Sequence, residues 1–231
     1  MPSWRISLPR SAPRSPDAQL VVMAKYPARG RVKTRLAATI GSARACALYR
    51  AFVLDLADRL AQLPYDVVWA YWPPRAPFGR LLPGARSRPQ RGADLGARMA
   101  NAIVAALRGG GPALVIGADA PHVSAASLAR AAAALRGGAD LVLGPAEDGG
   151  YYLIGVRAPV PALFRGIAWG TRTVLAVTRA RARRLGLRTR LLPPTFDVDE
   201  AMDLRRLRVS IARGRVHLPR TAALLGRGNG Y

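Results

Sequence analysis

Residues 19–36 read QLVVMAKYPARGRVKTRL. This stretch decides the fold because an apolar run is followed directly by a charged loop. The run QLVVMA at 19–24 is short and continuously apolar, which is typical of a strand that is buried on both faces of a sheet. A loop with five cations and one glycine follows the run and leads toward a helix. A strand, a loop and a helix in this order predict the opening unit of an α/β domain.

The same alternation continues along the chain, with apolar runs separated by stretches of helical spacing. Because these runs are continuous, we predict one α/β domain over 19–210, with a mostly parallel sheet and helices on both faces. The further predicted strands are 66–71, 113–117, 140–144, 151–156 and 188–192, and the predicted helices are about 42–63, 92–107 (after a glycine-opened loop), 124–135, 171–185 and 197–207.

The two ends of the chain lack this pattern. Residues 1–18 carry four prolines and three arginines without periodicity, and we expect them to form a disordered basic leader. Residues 211–231 are predicted to form a basic C-terminal tail.

The composition excludes several classes of protein. Half of the 231 residues are hydrophobic, which is too many for wholesale disorder, and Cys46 is the single cysteine, so no disulfide can form within the chain. There is no run of about 18 apolar residues, so we expect no membrane span and a cytoplasmic protein.

The net charge of +23 suggests binding to nucleic acid, but the distribution of the charge argues against it. The 34 arginines and two lysines are scattered along most of the chain, and only 6% of the residues are aromatic and able to stack on bases. This pattern favours a general compositional bias toward arginine. Nonspecific attraction to polyanions still follows from the charge, but we expect no specific nucleic-acid partner.

Both lysines of the chain, Lys25 and Lys33, lie in the loop after the first predicted strand. Lysine is a compact charge on a flexible stem, so this placement in a chain that otherwise uses arginine indicates a specific role. The loop has neither the GxxxxGK[ST] pattern nor a GxGxxG pattern. Its oriented N–H groups and cations suit a di- or triphosphate, and the alternative is a solvated basic loop. The candidate phosphate ligands are Lys25, Arg31, Lys33, Thr34 and Arg35.

Carboxylates collect after three later strands of the predicted sheet. Asp119 ends the segment ALVIGADAP, where it could hold Mg²⁺ or Mn²⁺ on nucleotide phosphates or cap the next helix. Asp148 precedes two glycines and could act as a base, bind substrate hydroxyls or belong to an Asp-Gly turn. Asp197 and Asp199 alternate, so in an extended segment both point the same way toward one cation. Seven of the 13 acids lie in these segments: Asp119, Glu147, Asp148, Asp197, Asp199, Glu200 and Asp203.

Together the motifs are similar to those of one bacterial family. The segments MAKYPARGRVKTRL, RGADLGARM, VIGADAP, GPAEDGGYYLIG, AWGT and DVDEAMDL occur in this order over about residues 20–208. They resemble the DUF2064 family of glycosyltransferase-like proteins, some of which are associated with arsenosugar biosynthesis. The resemblance implies the GT-A fold of nucleotide-diphospho-sugar transferases, a nucleotide-sugar donor, a divalent cation and an unknown small-molecule acceptor.

The resemblance also implies roles for individual residues. The loop lysines match the nucleotide-binding loop, Asp119 matches the metal-binding aspartate of such folds, and Asp148 in the DGG segment is the candidate catalytic residue. Gly96 lies in the DLGxRM motif and is grouped with the nucleotide-binding residues. The full set is Lys25, Arg31, Lys33, Thr34, Arg35 and Gly96 for nucleotide or phosphate, Gly149, Gly150 and Tyr151 for substrate, and Asp119, Asp197 and Asp199 for metal.

The chain departs from the family pattern after Pro121. The family usually has Asp-Leu where this chain has His122-Val123, so a second carboxylate near the metal is missing. Asp197 or Asp199 would then complete the metal shell. We expect His122 to be solvated or capping rather than a ligand.

Three functions remain open at this point. The first hypothesis is glycosyl transfer from a nucleotide-diphosphate sugar, with the loop cations neutralising charge on the leaving group. The second is nucleotidyl transfer, because KTRL and DVDxxxDL also resemble guanylyltransferases that act on phospholactate or molybdenum cofactor. The third, a basic nucleic-acid-binding protein, leaves the acidic segments unexplained.

Overall fold

The computed structural model describes residues 18–226, and a seven-stranded sheet forms the centre of the molecule. The order across the sheet is β3-β2-β1-β4-β6-β5-β7, and only β6 runs against its neighbours among the described strands. The predicted mostly parallel sheet is therefore confirmed. The strands are β1 (Gln19–Lys25), β2 (Asp66–Trp72), β3 (Ser87–Pro89), β4 (Ala113–Gly117), β5 (Leu141–Pro145), β6 (Tyr151–Val156) and β7 (Thr189–Leu191).

Helices cover both faces of this sheet, as predicted. Two separate apolar cores result: one contains Phe52 and Leu128, and the other contains Ile103 and Leu163. The described helices are α1 (Thr34–Ile40), α2 (Ser42–Ala61), α3 (Phe78–Leu81), α4 (Leu95–Leu107), α5 (Ala125–Arg136), α6 (Val174–Arg184), α7 (Ala201–Ala212) and α8 (Pro219–Gly226), with a 3₁₀ turn at Pro161–Phe164.

The reversed strand β6 shapes the edge where the parallel strands end. Residues 146–150 are the whole connection from β5 to β6, which is too short for a crossover helix, so the two strands pair antiparallel. The amino end of β6 therefore lies beside the carboxyl ends of β4 and β5. This arrangement brings Asp148 and Tyr151 to the edge that carries Asp119.

The predicted tail is partly structured. Helix α7 continues to Ala212, and α8 packs against α2 through Asp55, which accepts hydrogen bonds from the backbone N–H groups of Arg220 and Thr221 at 3.1 and 2.9 Å. Residues 211–226 thus belong to the packed domain, which corrects the tail prediction. At the other end Ala18 is buried, while residues 1–17 of the predicted leader, like 227–231 of the tail, lie outside the described residues.

Candidate active site

Three adjoining cavities follow the carboxyl edge of the sheet. The aromatic cavity, of about 310 Å³, is lined by Trp72, Tyr151 and Trp169 and reaches Asp119. The cationic cavity, of about 220 Å³, is lined by Lys25, Lys33, Thr34, Arg35, Tyr49, Asp119 and Asp199. The acidic cavity, of about 530 Å³, is lined by two arginines, Arg35 and Arg172, and by six acids, Glu147, Asp148, Asp197, Asp199, Glu200 and Asp203.

Lys33 is the buried cation of this site. Its backbone lies in the left-handed region (φ 48°, ψ 47°) directly before α1, and its side chain is only 2% exposed. Its Nζ forms an ion pair with Asp119 and donates a hydrogen bond to Asp199 Oδ1 at 2.9 Å. Burial lowers the pKa of Lys33, but the two carboxylates outweigh burial and raise it. Lys33 therefore stays charged and joins the segment after β1 to those after β4 and β7.

The same ion pair sets the charge of Asp119. Desolvation raises the pKa of Asp119, but the Lys33 ammonium outweighs it, and the resulting pKa lies below the usual value. The Asp119 side chain remains 49% exposed, so one side of the carboxylate faces the cavities. Asp119 is thus an ionised group available to a ligand.

The other phosphate-loop residues divide into two groups. Lys25 lines the aromatic and cationic cavities, and its backbone N–H donates to the Tyr49 hydroxyl at 2.9 Å. Thr34 and Arg35 also line the cationic cavity, and their role as phosphate ligands stays a prediction. Arg31 is exposed and is absent from the lining of all three cavities, so the structure does not bring it to the site.

The predicted metal ligands are near one another, but they do not form one three-carboxylate set. Asp199 is bound by Lys33, while Asp197 lines the aromatic and acidic cavities. Burial, and then the negative charge of Asp119, raises the pKa of Asp197 to about 7. Within residues 18–226, no group of three or more His, Cys, Asp or Glu side chains has an arrangement that could hold a metal ion. A divalent cation is compatible with the pair Asp119 and Asp197, whose clustered negative charge it would neutralise.

Asp148 lies between two cavities on the short loop before β6. Its Oδ1 accepts a hydrogen bond from the Gly150 N–H at 2.8 Å, and the residue lines the aromatic and acidic cavities. Gly149 has φ +89°, and a Cβ there would lie 2.1 Å from the Arg172 carbonyl oxygen. Gly149 therefore allows close packing of two loops, while Gly150 and Tyr151 line the aromatic cavity itself.

Gly96 has a packing role in the structure. It is buried in the first turn of α4, and a Cβ there would lie 2.7 Å from the Phe164 carbonyl oxygen and 2.8 Å from the Trp169 ring. It does not line any of the three cavities. The resemblance grouped Gly96 with the nucleotide-binding residues, whereas the contacts that require a glycine here are with protein.

Apart from Tyr151, sequence reasoning missed the aromatic wall of the site. The Arg98 guanidinium stacks 3.6 Å from the centre of the Trp72 ring, and Tyr151 meets the Trp169 ring edge-on at 6.4 Å. Gln90 is buried beside them and donates from Nε2 to the Ala70 carbonyl at 2.8 Å. The motifs DLGxRM and AWGT contained Arg98 and Trp169 and were the available signal, whereas Trp72 and Gln90 belong to no quoted motif.

His122 is packed rather than solvated. Its ring stacks on Phe196 with 4.3 Å between centroids, and its Nε2 lies 3.1 Å from the Thr195 hydroxyl. Burial, with the charges of Arg59 and Arg206, lowers the pKa of His122 to about 4. The ring is therefore neutral near pH 7 and lies outside the lining of the three cavities.

The strand order and the site at the carboxyl edge agree with the GT-A fold that the sequence resemblance implies. The same fold occurs in 4-diphosphocytidyl-2C-methyl-D-erythritol synthase from Anaerococcus prevotii DSM 20548, with a TM-score of 0.55 and 9% identity over 85% of this chain and 100% of that one. Molybdopterin-guanine dinucleotide biosynthesis protein A from Archaeoglobus fulgidus matches with a TM-score of 0.50 and 16% identity over 84% and 99%. At these identities the likeness concerns the fold alone.

Two comparisons identify the family. Residues 54–171 match DUF2064, which is described as an uncharacterized protein conserved in bacteria. A protein of Desulfovibrio desulfuricans G20, provisionally described as a nucleotide-diphospho-sugar transferase, is 36% identical over 92% of this chain and 95% of that one, with a TM-score of 0.85. The chain belongs to the DUF2064 family, which confirms the resemblance seen in the sequence.

One further comparison and one search of the helices gave negative results. A search of curated proteins gave no match to the chain. Among residues 18–226, no helix has the length and apolar character needed to cross a membrane.

Proposed function

We propose that the protein is a glycosyltransferase that moves a sugar from a nucleotide-diphosphate donor to a small-molecule acceptor. The observation that carries this proposal is the meeting of the three cavities at shared residues. Asp119 lines the aromatic and cationic cavities, and Asp148 lines the aromatic and acidic ones. A nucleoside, a diphosphate and an acceptor could therefore bind side by side.

The aromatic and cationic cavities suit the nucleotide-sugar donor. Aromatic and apolar walls favour a nucleoside, and the guanidinium of Arg98 over Trp72 extends that flat surface. Lys25, Lys33, Thr34 and Arg35 offer cations and a hydroxyl to a diphosphate. These groups would neutralise the charge that grows on the nucleoside diphosphate as it leaves.

The acceptor suits the acidic cavity, and its charge favours sugar transfer over nucleotidyl transfer. The acceptor of the guanylyltransferase-like alternative brings a phosphate, which six carboxylates with two arginines in one lining would repel. Lys33 and Arg206 neutralise only Asp199 and Glu147 of this set directly. A hydroxyl-bearing acceptor without a phosphate meets no such repulsion and finds hydrogen-bond acceptors instead.

Asp148 is the proposed general base. In the reaction the acceptor hydroxyl oxygen forms a bond to the anomeric carbon, the bond from that carbon to the phosphate oxygen breaks, and the hydroxyl proton passes to the Asp148 carboxylate. The Gly150 N–H fixes Oδ1 of this carboxylate and keeps its direction. Fixed orientation of a base within reach of the acceptor is the geometric requirement for this chemistry.

Asp119 and Asp197 would hold the Mg²⁺ or Mn²⁺ ion that the resemblance implies. When bound, such an ion supplies positive charge to the donor diphosphate. Direct binding can be tested by the electron paramagnetic resonance signal of free Mn²⁺, which the protein should reduce and the Asp197→Asn variant should reduce less. An equal signal with both proteins would contradict this ligand assignment.

Nucleoside diphosphate release is the test of the reaction. A panel of UDP-, GDP-, CDP- and ADP-sugars is first screened by thermal shift with and without Mn²⁺, and the stabilising donors are then assayed with hydroxyl acceptors. We expect release of nucleoside diphosphate, reduced at least a hundredfold by Asp148→Asn. Pyrophosphate release from any of the four NTPs with a phosphorylated acceptor would instead establish nucleotidyl transfer and refute the proposal.

A further inference from the structure

A fourth cavity lies behind the aromatic wall and differs in charge from the other three. It has a volume of about 230 Å³, and three arginines are among its lining residues while no Asp or Glu is. Each cavity of the proposed active site includes at least two acids. We call it the arginine cavity; it is lined by Ala70, Arg88, Pro89, Gln90, Arg91, Arg98, Asn101, Ala102 and Ala105.

Protein contacts hold two of the three guanidinium groups of this cavity in place, those of Arg88 and Arg98. Arg88 Nη2 donates to the Ala102 carbonyl at 3.1 Å. Arg98 Nε donates to the Gly92 carbonyl at 3.2 Å while its plane stacks on Trp72. Asn101 Nδ2 donates to the Arg91 carbonyl at 2.9 Å and so fixes the backbone beside it. Guanidinium groups that are already positioned lose less conformational entropy when a ligand binds.

The charge of this cluster is not balanced by protein carboxylates. Within residues 18–226, none of the ion pairs involves Arg88, Arg91 or Arg98. Burial, and then the charge of Arg86, lowers the pKa of Arg88, so the surroundings oppose its charge. By contrast, Arg157 and Arg188 share Asp140. Positioned cations without a counter-ion are an arrangement that a bound anion would stabilise.

We propose that the arginine cavity binds the phosphate group of a small metabolite, at a site separate from the donor diphosphate. The planar fork of guanidinium matches the oxygens of phosphate in pairs, and three arginines line this one cavity. The volume suits a molecule smaller than a nucleotide sugar. Arg88, Arg91 and Asn101 belong to none of the three cavities of the proposed active site, whereas Gln90 and Arg98 also line the aromatic cavity. The shared wall would couple the two sites.

Calorimetric titration with inorganic phosphate tests the proposal in a protein that lacks Lys33, the buried one of the active-site phosphate cations. Lys33→Gln is the background, and Arg88→Gln and Arg130→Gln are each added to it. Arg130 is the matched control because it is an exposed arginine on α5 outside all four cavities. We expect phosphate to bind the background at constant ionic strength, with affinity reduced at least tenfold by Arg88→Gln and less than twofold by Arg130→Gln. Glycerol 3-phosphate in a parallel titration distinguishes a monoester from the free ion.

A second measurement on the unmodified protein covers the case in which a variant does not fold. Phenylglyoxal modifies accessible arginines, and peptide mass mapping reports each position separately. Phosphate should slow the modification of Arg91 and Arg98 at least threefold and leave Arg130 unchanged, compared with sodium chloride of equal ionic strength. The site would be refuted if phosphate changed the modification rates of all three arginines by the same factor. Equal phosphate affinity in the two double variants would also refute it. Neither result depends on sugar transfer, so the proposed function stands or falls separately.

Discussion

Lys33 shows, at the scale of one residue, how the rare use of lysine in this chain corresponds to a specific contact in the structure. The chain uses lysine twice, and one of the two is buried with contacts to Asp119 and Asp199, where a compact ammonium can reach both carboxylates. The planar guanidinium that the chain uses elsewhere does not have this shape. The residue type, and not only its charge, is therefore explained by the geometry.

Replacing Lys33 by Gln tests this contact. The variant leaves two carboxylates without their cation, and we expect the free energy of unfolding to fall by about 1–2 kcal/mol. The loss stays below that of a fully buried pair because the Asp119 and Asp199 side chains are 49% and 38% exposed. Urea unfolding gives the value, and Lys25→Gln, at an exposed lysine, should change it by less than about 0.5 kcal/mol. Equal losses in the two variants would mean that the ion pairs of Lys33 contribute nothing.

His122 makes a prediction about pH. Its pKa is lowered from 6.5 to about 4 in the folded protein, so the unfolded chain takes up a proton first as the pH falls. Stability is therefore complete above about pH 6.5 and is lost between 6.5 and 4, by at most about 3 kcal/mol. Urea unfolding at several pH values should show this loss in the natural protein and a smaller one in His122→Gln. The carboxylates titrate in both proteins and cancel in the difference, so parallel curves would contradict the assignment.

At the scale of elements, the long buried segments could be predicted, whereas the elements that were missed are short or lack a start signal. The apolar runs of β1 and β4 and the regular spacing of α2 are dictated by burial, which leaves a strong periodic signal. Strand β3 has three residues and α3 has four, too few for any period to appear. Helix α1 begins after a left-handed lysine with no side-chain cap, so the usual start signal is missing.

In the candidate site, too, some residues could be predicted from the sequence and others could not. Lys25, Lys33 and Asp119 follow predicted strands closely, so topology alone brings them to one edge. Trp72 and Gln90 meet Arg98 only because β2, β3 and α4 pack together, and that packing leaves no motif. Gly96 shows the same limit of sequence reasoning. Its motif could be seen in the sequence, but the residue it packs against, Trp169, lies 73 residues away along the chain.

The loop between β5 and β6 makes a prediction that belongs to this scale. Gly149→Ala puts a Cβ 2.1 Å from the Arg172 carbonyl at φ +89°, so we expect a loss of at least about 3 kcal/mol, from strain plus a steric clash. Gly30→Ala is the control, because its φ is +73° and its Cβ would meet nothing within 4 Å. It should cost only about 1 kcal/mol. Chemical denaturation gives both values, and similar losses would show that the approach of Arg172 does not constrain the loop.

At the scale of the whole molecule, the distribution of the charges is more informative than the total of +23. Acids are scarce, and among residues 18–226 those outside the carboxyl edge make identifiable structural contacts: Asp140 pairs with Arg157 and Arg188, and Asp66 with Arg86. In a chain with this excess of arginine, each buried carboxylate must have enough donors to remain stable. Asp55 in α2 is the clearest case, because it is 1% exposed and accepts hydrogen bonds from the segment that begins α8.

We therefore expect Asp55 to help hold α8 on the domain. Asp55→Asn replaces an acceptor of the Thr221 N–H (2.9 Å) and hydroxyl (2.7 Å) by a group that can turn a donor toward them. We expect a loss of about 2–4 kcal/mol, since buried donors are left unpaired. Asp58→Asn is the matched control, because Asp58 also contacts Arg220 but is 64% exposed, and it should cost less than about 1 kcal/mol. Urea unfolding separates the two, and hydrogen exchange of residues 219–226 should speed up only in Asp55→Asn. If the exchange of α8 is equally slow in both variants, apolar packing rather than Asp55 holds the helix on α2.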